Sequence, residues 1–235
     1  MLLPLPMRAV ARPPGGGSSF SPADLSPLAW WDVTDGATVT TVGSNCSEVT
    51  DKSANSNDLT QTTDAIRVPY EASNAITGGP ALFWPLGGAS RMDIASALSS
   101  REMFFVGAYG DGTTATFNNF NSIIEGDGTA LAEKIHGDSA DNFWRTSGES
   151  PLNITYYRNG SSLTSNIVLP APFAVYHADY DAPTSGEEFT KLGGASTNRS
   201  WYGPVAEVII FSSKLAAEDR TTLLDYLYAK HGITP

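Results

Sequence analysis

The chain has 235 residues, a formal net charge of −11 and one cysteine, Cys46. An acidic surface repels phosphate backbones, which disfavours nucleic acid as a partner, and a lone cysteine excludes an intrachain disulfide. Only 17% of the residues are charged, against roughly 25% in typical globular chains. Ser, Thr, Asn and Gly stand where a typical chain has further charged residues, and these residue types favour turns. Composition and length together favour one all-β domain over a helical protein.

Residues 1–22 differ in composition from the rest of the chain. Four prolines occur within residues 1–14, and a Gly-Gly-Gly-Ser-Ser run follows them. Proline restricts the backbone and a glycine run is a flexible joint, so we interpret this segment as an extended arm on a hinge. It is either a free tail or an anchor that becomes ordered on a partner. The residues that would form the anchor are Leu2, Leu3, Leu5, Met7, Arg8 and Arg12.

The same N-terminal segment matches neither an export signal nor a membrane span. A secretory signal places positive charge before its apolar stretch, whereas here two prolines interrupt the apolar run and Arg8 comes after it. No apolar run in the chain approaches the roughly 20 residues that cross a bilayer as a helix. We therefore expect neither a cleaved signal peptide nor membrane insertion.

From residue 28 onward, short apolar or β-branched segments alternate with turn residues. They are 28–33, 37–42, 81–84, 103–109, 122–125, 153–158, 173–180 and 205–211. The segment 103–109 is almost continuously apolar, which predicts a central strand buried on both faces. Asn159-Gly160 predicts a hairpin turn, because both residues tolerate a positive φ. Many short strands with frequent turns predict a sandwich or a barrel.

One helix is predicted after the last strand, over residues 215–230. Ser213 can cap its start, and Gly232 can adopt the left-handed conformation after its end. Acidic residues near the start and Lys230 near the end suit the helix dipole. Its apolar face is predicted to cover an edge of the sandwich, and it carries Leu223, Leu224 and Leu227.

Several single residues are expected to be structural. Trp30, Trp31 and Trp84 are predicted to lie in the core, and Cys46 is predicted to be a small buried side chain. Glu207 stands in the last strand without an acidic neighbour close in sequence. We interpret it as a structural carboxylate at the rim of the sandwich.

Four segments carry a resemblance to a known family. They are the first strand at 21–32, the polar turn at 51–61 with Ala54 and Ser56 where the family has glycines, the hairpin at 157–160, and the closing strand and helix at 203–232. With these, the chain resembles laminin-G-like, concanavalin A-like jelly-roll domains of bacteriophage structural proteins and bacterial surface proteins. The resemblance implies an all-β, two-sheet antiparallel jelly-roll sandwich over 23–235, and leaves the arm outside.

Patterns for catalysis are weak. The glucanases among the related sandwiches carry three carboxylates along one strand, but here only Glu125 and Asp127 match and glycines interrupt the pattern. His136, His177 and His231 are too far apart in sequence to form a zinc motif. We therefore predict no catalytic residues and no cofactor.

A bound calcium ion is the alternative that the sequence leaves open. The resemblance implies that one ion can lie at the rim of such a domain, held by aspartates and backbone oxygens. Each candidate is also explained by an ordinary turn that its side chain stabilises. The candidates are Asp111, Asp127, Asp138 and Asp141.

Sugar binding would need an exposed aromatic ring beside polar side chains. Asn142, Trp144 and Arg145 fit this description, and Trp201 with Tyr202 forms a second candidate. The alternative for each aromatic ring is a position in the core.

Three hypotheses about function follow from the arm, the acidic body and the resemblance. The first is a non-catalytic virion structural protein at the virion surface, a phage head decoration or a tail or fibre attachment module. Its arm would bind other virion proteins, and its sandwich would bind host glycans. The second is a carbohydrate-binding adhesin module of a bacterial surface or secreted protein, and the third is a glycoside hydrolase. The sequence leaves the head or tail location, the ligand and a homo-oligomer open.

Overall fold

The computed structural model describes residues 20–112, 121–126, 133–136, 142–143, 154–163, 167–180, 188–194 and 200–235. In these residues the strands pair antiparallel in a sandwich that is followed by one C-terminal α-helix. The fold class predicted from the sequence is therefore confirmed.

The strands are mostly short. In chain order they are β1 (Ala29–Asp32), β2 (Val39–Val42), β3 (Asn45–Val49), β4 (Leu59–Thr60), β5 (Val68–Glu71), β6 (Ala81–Trp84), β7 (Met92–Leu98), β8 (Glu102–Tyr109), β9 (Ser122–Glu125), β10 (Glu133–His136), β11 (Asn142–Phe143), β12 (Ile154–Arg158), β13 (Ser161–Ser162), β14 (Ile167–Val168), β15 (Ala171–Tyr180), β16 (Phe189–Leu192) and β17 (Gly203–Phe211). The helix α1 spans Ala217–His231, and 3-10 turns span Pro22–Leu25, Gly36–Thr38 and Asp64–Ile66.

Two layers of strands are joined at β5. The layer that we call the helix-side sheet has the order β13-β12-β15-β8-β17-β6-β5, with β1 also paired to β17. The second sheet has the order β10-β9-β16-β7-β4-β3, with β2 also paired to β3. Strand β5 pairs with β3 at Pro69 and with β6 at Tyr70, so it belongs to both layers. The strands β11 and β14 form a separate pair.

Strand β8 lies at the centre of the helix-side sheet, between β15 and β17, and every one of its residues is buried. Side chains alternate along a strand, so Met103 and Phe105 enter the core between the sheets while Phe104 and Val106 enter the core under α1. The prediction of a central strand buried on both faces is therefore confirmed.

The core between the sheets is rich in aromatic rings. Trp31 and Trp84 are fully buried there, as predicted. The Phe105 ring stacks on Tyr176 with centroids 5.0 Å apart, which contributes beyond its buried area. Cys46 is also fully buried, and burial raises the pKa of its thiol to about 12. Its predicted role as a small buried side chain is confirmed.

The helix α1 covers the outer face of the helix-side sheet. Its Leu223 and Leu227 are buried against Trp30, Phe104 and Ile209. This arrangement confirms the predicted apolar face, but α1 covers the face of the sheet over its central strand and not the predicted edge of the sandwich. The Trp30 ring belongs to this second core and not to the core between the sheets.

The start of α1 differs from the prediction. The helix begins at Ala217, and no side chain caps its first turn, so Ser213 is not the cap. The cause is tertiary: the amide of Leu215 donates to a Glu102 carboxylate oxygen at 2.7 Å, which keeps that residue outside the helix. The predicted end is confirmed, because Gly232 has a φ of 64° and its amide donates to the Tyr228 carbonyl.

The hairpin at Asn159-Gly160 is confirmed. The two residues have φ values of 48° and 74°, and they join β12 to β13. A two-residue loop with both φ values positive matches the twist of the paired strands. By contrast, only part of the predicted segment 37–42 is a strand, because Gly36–Thr38 forms a 3-10 turn before β2.

Candidate functional site

Two fully buried glutamates lie on the face of the helix-side sheet that α1 covers. Glu102 is the first residue of β8, and Glu207 lies within β17; both are 0% exposed. The register of β17 with β8 shifts between Val205 and Glu207. A bulge of this kind turns a side chain to the opposite face. Here it brings Glu207 toward α1, while Val208 returns to the core between the sheets.

Glu207 is the centre of a cluster that also contains the end of α1. Its Oε1 accepts a hydrogen bond from Trp30 Nε1 at 2.6 Å, and its Oε2 accepts one from Lys230 Nζ at 2.8 Å. The ring nitrogen Nε2 of His231 lies 2.7 Å from the same Oε2. The glutamate is therefore a structural carboxylate, as predicted, but it lies under the helix and not at the rim.

Asp32 lies directly across from Glu207, on β1. Lys230 Nζ is 2.8 Å from its Oδ1, and Lys52 Nζ is 3.0 Å from its Oδ2. Burial alone would raise the pKa of Asp32, but Lys230, Thr34 and Lys52 outweigh burial and lower that pKa to about 2. Asp32 is therefore ionised throughout the neutral range.

Asp32 and Glu207 form a pair that superficially resembles a glycosidase site. Each has an oxygen 2.8 Å from Lys230 Nζ, so the two carboxylates lie close together, as the acid pairs of retaining glycosidases do. Both oxygens of Glu207 are already bound by partners, and the residue is 0% exposed. A sugar cannot reach this pair while α1 is in place.

Glu102 organises a second cluster near the start of α1. Its Oε1 accepts a hydrogen bond from Arg220 Nε at 2.6 Å, and the ring nitrogen Nε2 of His177 lies 2.7 Å from it. The His177 ring is stacked between Phe104 at 4.2 Å and Tyr157 at 4.7 Å, measured between centroids. Burial lowers the pKa of His177 more than the neighbouring Glu102 raises it, so the imidazole is neutral near pH 7.

Asp179 extends this cluster toward the surface. It is opposite Glu102 in the pairing of β15 with β8. Its Oδ1 lies 2.6 Å from Lys214 Nζ, and its Oδ2 lies 3.8 Å from Arg220 Nη2. The two clusters therefore attach both ends of α1 to the sheet, one through Glu102 and the other through Glu207.

A cavity of about 240 Å³ opens beside the Glu207 cluster. Four parts of the chain line it: the loop after β1, the turn before β6, strand β17 and the last residues of α1. The lining residues are Thr34, Thr77, Gly78, Gly79, Pro80, Ala206, Lys230 and His231. The lining therefore combines two threonines, a lysine and a histidine with the apolar side chains of Pro80 and Ala206.

One wall of the cavity is held by Asn74, which is only 4% exposed. Its side-chain Oδ1 accepts hydrogen bonds from the backbone amides of Ile76 and Thr77. Its backbone N–H donates to the Gly79 carbonyl at 2.9 Å. Its Nδ2 donates to Glu71 at 2.6 Å. These bonds fix the turn that carries Thr77 and Gly79, so the wall is formed before any ligand arrives.

The polar turn at 51–58 is structural. Asp51 Oδ1 accepts the amides of Trp30 and Ser53, and Oδ2 accepts the amide of Asn57, each at 2.8 Å. Ser56 has a φ of 57°, at one of the two positions where the resembled family has glycine. The turn therefore holds β1 in place, and all of these bonds stay within the chain.

The predicted sugar-binding residues are not assembled into one exposed site in the described residues. Trp201 and Tyr202 are 0% and 4% exposed, and both rings contact Tyr109 edge to face. They belong to the core between the sheets, in contrast to the exposed platform that the sequence predicts there. The backbone of Asn142 lies in β11, while Trp144 and Arg145 lie outside the described residues.

The other predicted sites fall largely outside the described residues. These are the anchor residues Leu2, Leu3, Leu5, Met7, Arg8 and Arg12 and the calcium candidates Asp127, Asp138 and Asp141. Asp111 is described and lies exposed in the turn after β8. Within the described ranges, no group of three or more His, Cys, Asp or Glu side chains is placed to hold a metal ion.

Asp32, Glu102 and Arg220 were not predicted from the sequence to belong to one system. A signal was present, because each of the apolar strands β1, β8 and β17 carries an acidic residue where an apolar one is expected. Buried carboxylates require partners, and α1 supplies cations near both of its ends. Only the strand pairing shows which carboxylate meets which cation.

Comparison with protein-family models, with curated proteins and with solved structures finds no match for this chain. In the part of the chain that the structure describes, no helix has the length and apolar character needed to cross a membrane.

Proposed function

We propose that the chain is a non-catalytic display module of a bacteriophage virion. The sandwich is the displayed body, and residues 1–22 are the anchor that holds it to other virion proteins at the particle surface. The proposal rests on the composition of the arm and on the resemblance of four segments to jelly-roll domains of phage structural proteins.

The observation that carries the proposal is that the chain is fixed where the arm joins the sandwich, at residues 20–25, which we call the arm root. The Phe20 ring packs edge to face on Tyr226 of α1, with centroids 5.7 Å apart. Ser21 and Asp24 form a reciprocal capping box, and Pro22 is buried. A tether transmits force only if its attachment point is rigid, and these contacts fix that point against the helix.

The hydrogen bonds that the buried carboxylates already accept support a non-catalytic role for the sandwich. Asp51, Glu102 and Glu207 each accept hydrogen bonds from backbone amides or structural side chains. Catalytic carboxylates must reach a substrate, whereas these three residues are at most 7% exposed. Their bonds hold β1 and α1 against the sheet.

Deleting residues 1–17 tests the proposal. We expect the shortened chain to fold with an unchanged melting temperature, because its core and arm root remain, and to be missing from assembled particles. A chain in which Gly15, Gly16 and Gly17 are all replaced by serine is the matched control, because it keeps the anchor residues and the length. If the shortened chain enters particles as well as this control does, the anchor role is wrong.

An adhesin module of a bacterial surface or secreted protein is the second candidate. The cavity beside His231 supports a binding role for the body in this candidate as well, because a preformed recess with polar lining is a feature of small-ligand sites. The two candidates differ in the partner of the arm and share the binding role of the body.

A further inference from the structure

We propose that the cavity beside the Glu207 cluster binds an uncharged ligand that carries several hydroxyl groups and is the size of one sugar ring. The inference deepens the proposed function, on which it rests, because it assigns the binding role of the displayed body to the residues that line this cavity. Four properties of the lining support it.

The first property is an excess of hydrogen-bond acceptors. The hydroxyl of Thr34 donates to Asp32 at 2.7 Å, and the hydroxyl of Thr77 donates to the Gly79 carbonyl at 2.8 Å. A hydroxyl has one proton and two acceptor sites. The Thr77 oxygen already accepts the Gly79 amide at 3.2 Å, so it keeps one acceptor site for a ligand. A ligand must therefore bring donors to this wall.

The imidazole of His231 is a further group that requires a hydrogen-bond donor from the ligand. A carboxylate only accepts hydrogen bonds, so the ring nitrogen Nε2 that lies 2.7 Å from Glu207 carries the proton. In the neutral ring this tautomer leaves Nδ1 as an acceptor. Lys230 also lines the cavity, and Asp32 and Glu207 occupy two of its three N–H groups, so at most one donor is left there. A hydroxyl group can donate to the acceptors of the lining and can also accept from such a donor.

The second property is that the charged groups beside the cavity are already paired with one another. Three carboxylates, Asp32, Asp35 and Glu207, are paired with two ammonium groups, Lys52 and Lys230. An anionic ligand would meet a cation already bound by two carboxylates, and a cationic ligand would meet the ammonium group of Lys230. Each would lose hydration without a new partner, so an uncharged ligand is favoured.

The third property is size. About 240 Å³ is below the range of roughly 300–1,000 Å³ that is usual for drug-sized ligands. It corresponds to about eight water molecules at about 30 Å³ each. The cavity therefore suits a single ring or a short polyol, and a longer glycan would place only its terminal residue inside.

The fourth property is rigidity. The turn that carries Thr77, Gly78 and Gly79 is fixed by the buried Asn74, and the opposite wall is the end of α1, held by Glu207. A preformed site binds without the cost of ordering its walls.

The test is a titration of the isotopically labelled full chain, followed by amide chemical shifts. The probes are glucose, galactose and N-acetylglucosamine, with glucuronate and glucosamine as charged analogues of the same ring. We expect at least one uncharged sugar to produce saturable shifts at the amides of residues 77–79 and 230–231, and the charged analogues to bind more weakly.

A blocking substitution provides the control. A Cβ at Gly79 would have no atom within 4 Å and no unfavourable φ, so Gly79→Leu extends a side chain into open space without strain. Gly36 has the same two properties and does not line the cavity. We expect Gly79→Leu to abolish the saturable shifts and Gly36→Leu to retain them; Gly79→Val replaces the leucine variant if that variant does not fold.

Three outcomes would overturn the inference: no saturable shift with any of the uncharged sugars, shifts that persist in the Gly79 variant, or tighter binding of a charged analogue. The particle assay is independent of this result. Gly79→Leu keeps the arm and its root, so it is expected to enter particles normally even when sugar binding is lost.

Discussion

Asp32 and Glu207 lie opposite each other on β1 and β17, and Lys230 Nζ lies 2.8 Å from a carboxylate oxygen of each. Like charges directly opposite on paired strands are destabilising. The ammonium group removes this repulsion, and it comes from the last turn of α1. The attachment of the helix and the stability of this strand pair therefore depend on one side chain.

Replacing Lys230 by methionine is expected to destabilise the protein by about 3 kcal/mol, because it leaves two buried carboxylates without their shared cation. Urea unfolding measures the change. The double variant Lys230→Met/Asp32→Asn is the control. It removes one of the two charges, so it should be more stable than the sum of the single changes predicts. Additive effects would show that the three groups do not act together.

The stability of the protein is expected to fall as the pH drops below 6.5. The pKa of His177 is lowered by burial from its ordinary 6.5, so the unfolded chain takes up a proton that the folded chain does not. Stability is then complete above pH 6.5 and declines toward the lower folded-state pKa. Unfolding free energies measured at about pH 7, 6 and 5 should show this decline, and His177→Gln should reduce it. An unchanged slope in the variant would assign the decline to other groups.

A second decline is expected in stronger acid. Burial raises the pKa of Asp32, but its lysine partners prevail and lower it from 3.8 to about 2. A carboxylate with a lowered folded-state pKa contributes stability above pH 3.8, which is lost as the pH falls toward 2. Asp32→Asn should therefore flatten the stability curve below about pH 4. A curve that is as steep as in the unaltered chain would contradict this assignment.

Gly193 is expected to tolerate no side chain. A Cβ there would lie 2.0 Å from Trp84 Nε1, and the residue has a φ of 93°. We expect Gly193→Ala to cost about 3 kcal/mol or more, because a buried indole must move and the backbone is strained. Gly43→Ala is the matched control, because Gly43 also has a positive φ, of 63°, and has open space at its Cβ. It carries the backbone strain alone and should cost about 1 kcal/mol. Equal effects would show that the Trp84 contact is not limiting.

The sequence predicts the fold better than it predicts the site. Alternation and apolar runs depend on local pattern, so β8 and the apolar face of α1 are predicted correctly. The orientation of Glu207 depends on a bulge between Val205 and Glu207. Gly203 and Pro204 at the start of β17 are residue types that occur at bulges, but they do not specify which later side chain changes face. Trp201 and Tyr202 follow a polar segment and look exposed in sequence, yet the two sheets enclose them. The cavity combines residues from four separate segments, and only tertiary structure brings those together.

The most direct measurement of the central claim is the copy number of this chain in purified phage particles, determined by quantitative mass spectrometry against a known structural subunit. The proposed role predicts a fixed ratio to that subunit, which persists after washing in high salt and disappears when residues 1–17 are deleted. A chain that is absent from particles, or is present at a ratio that varies between preparations, would contradict the display role.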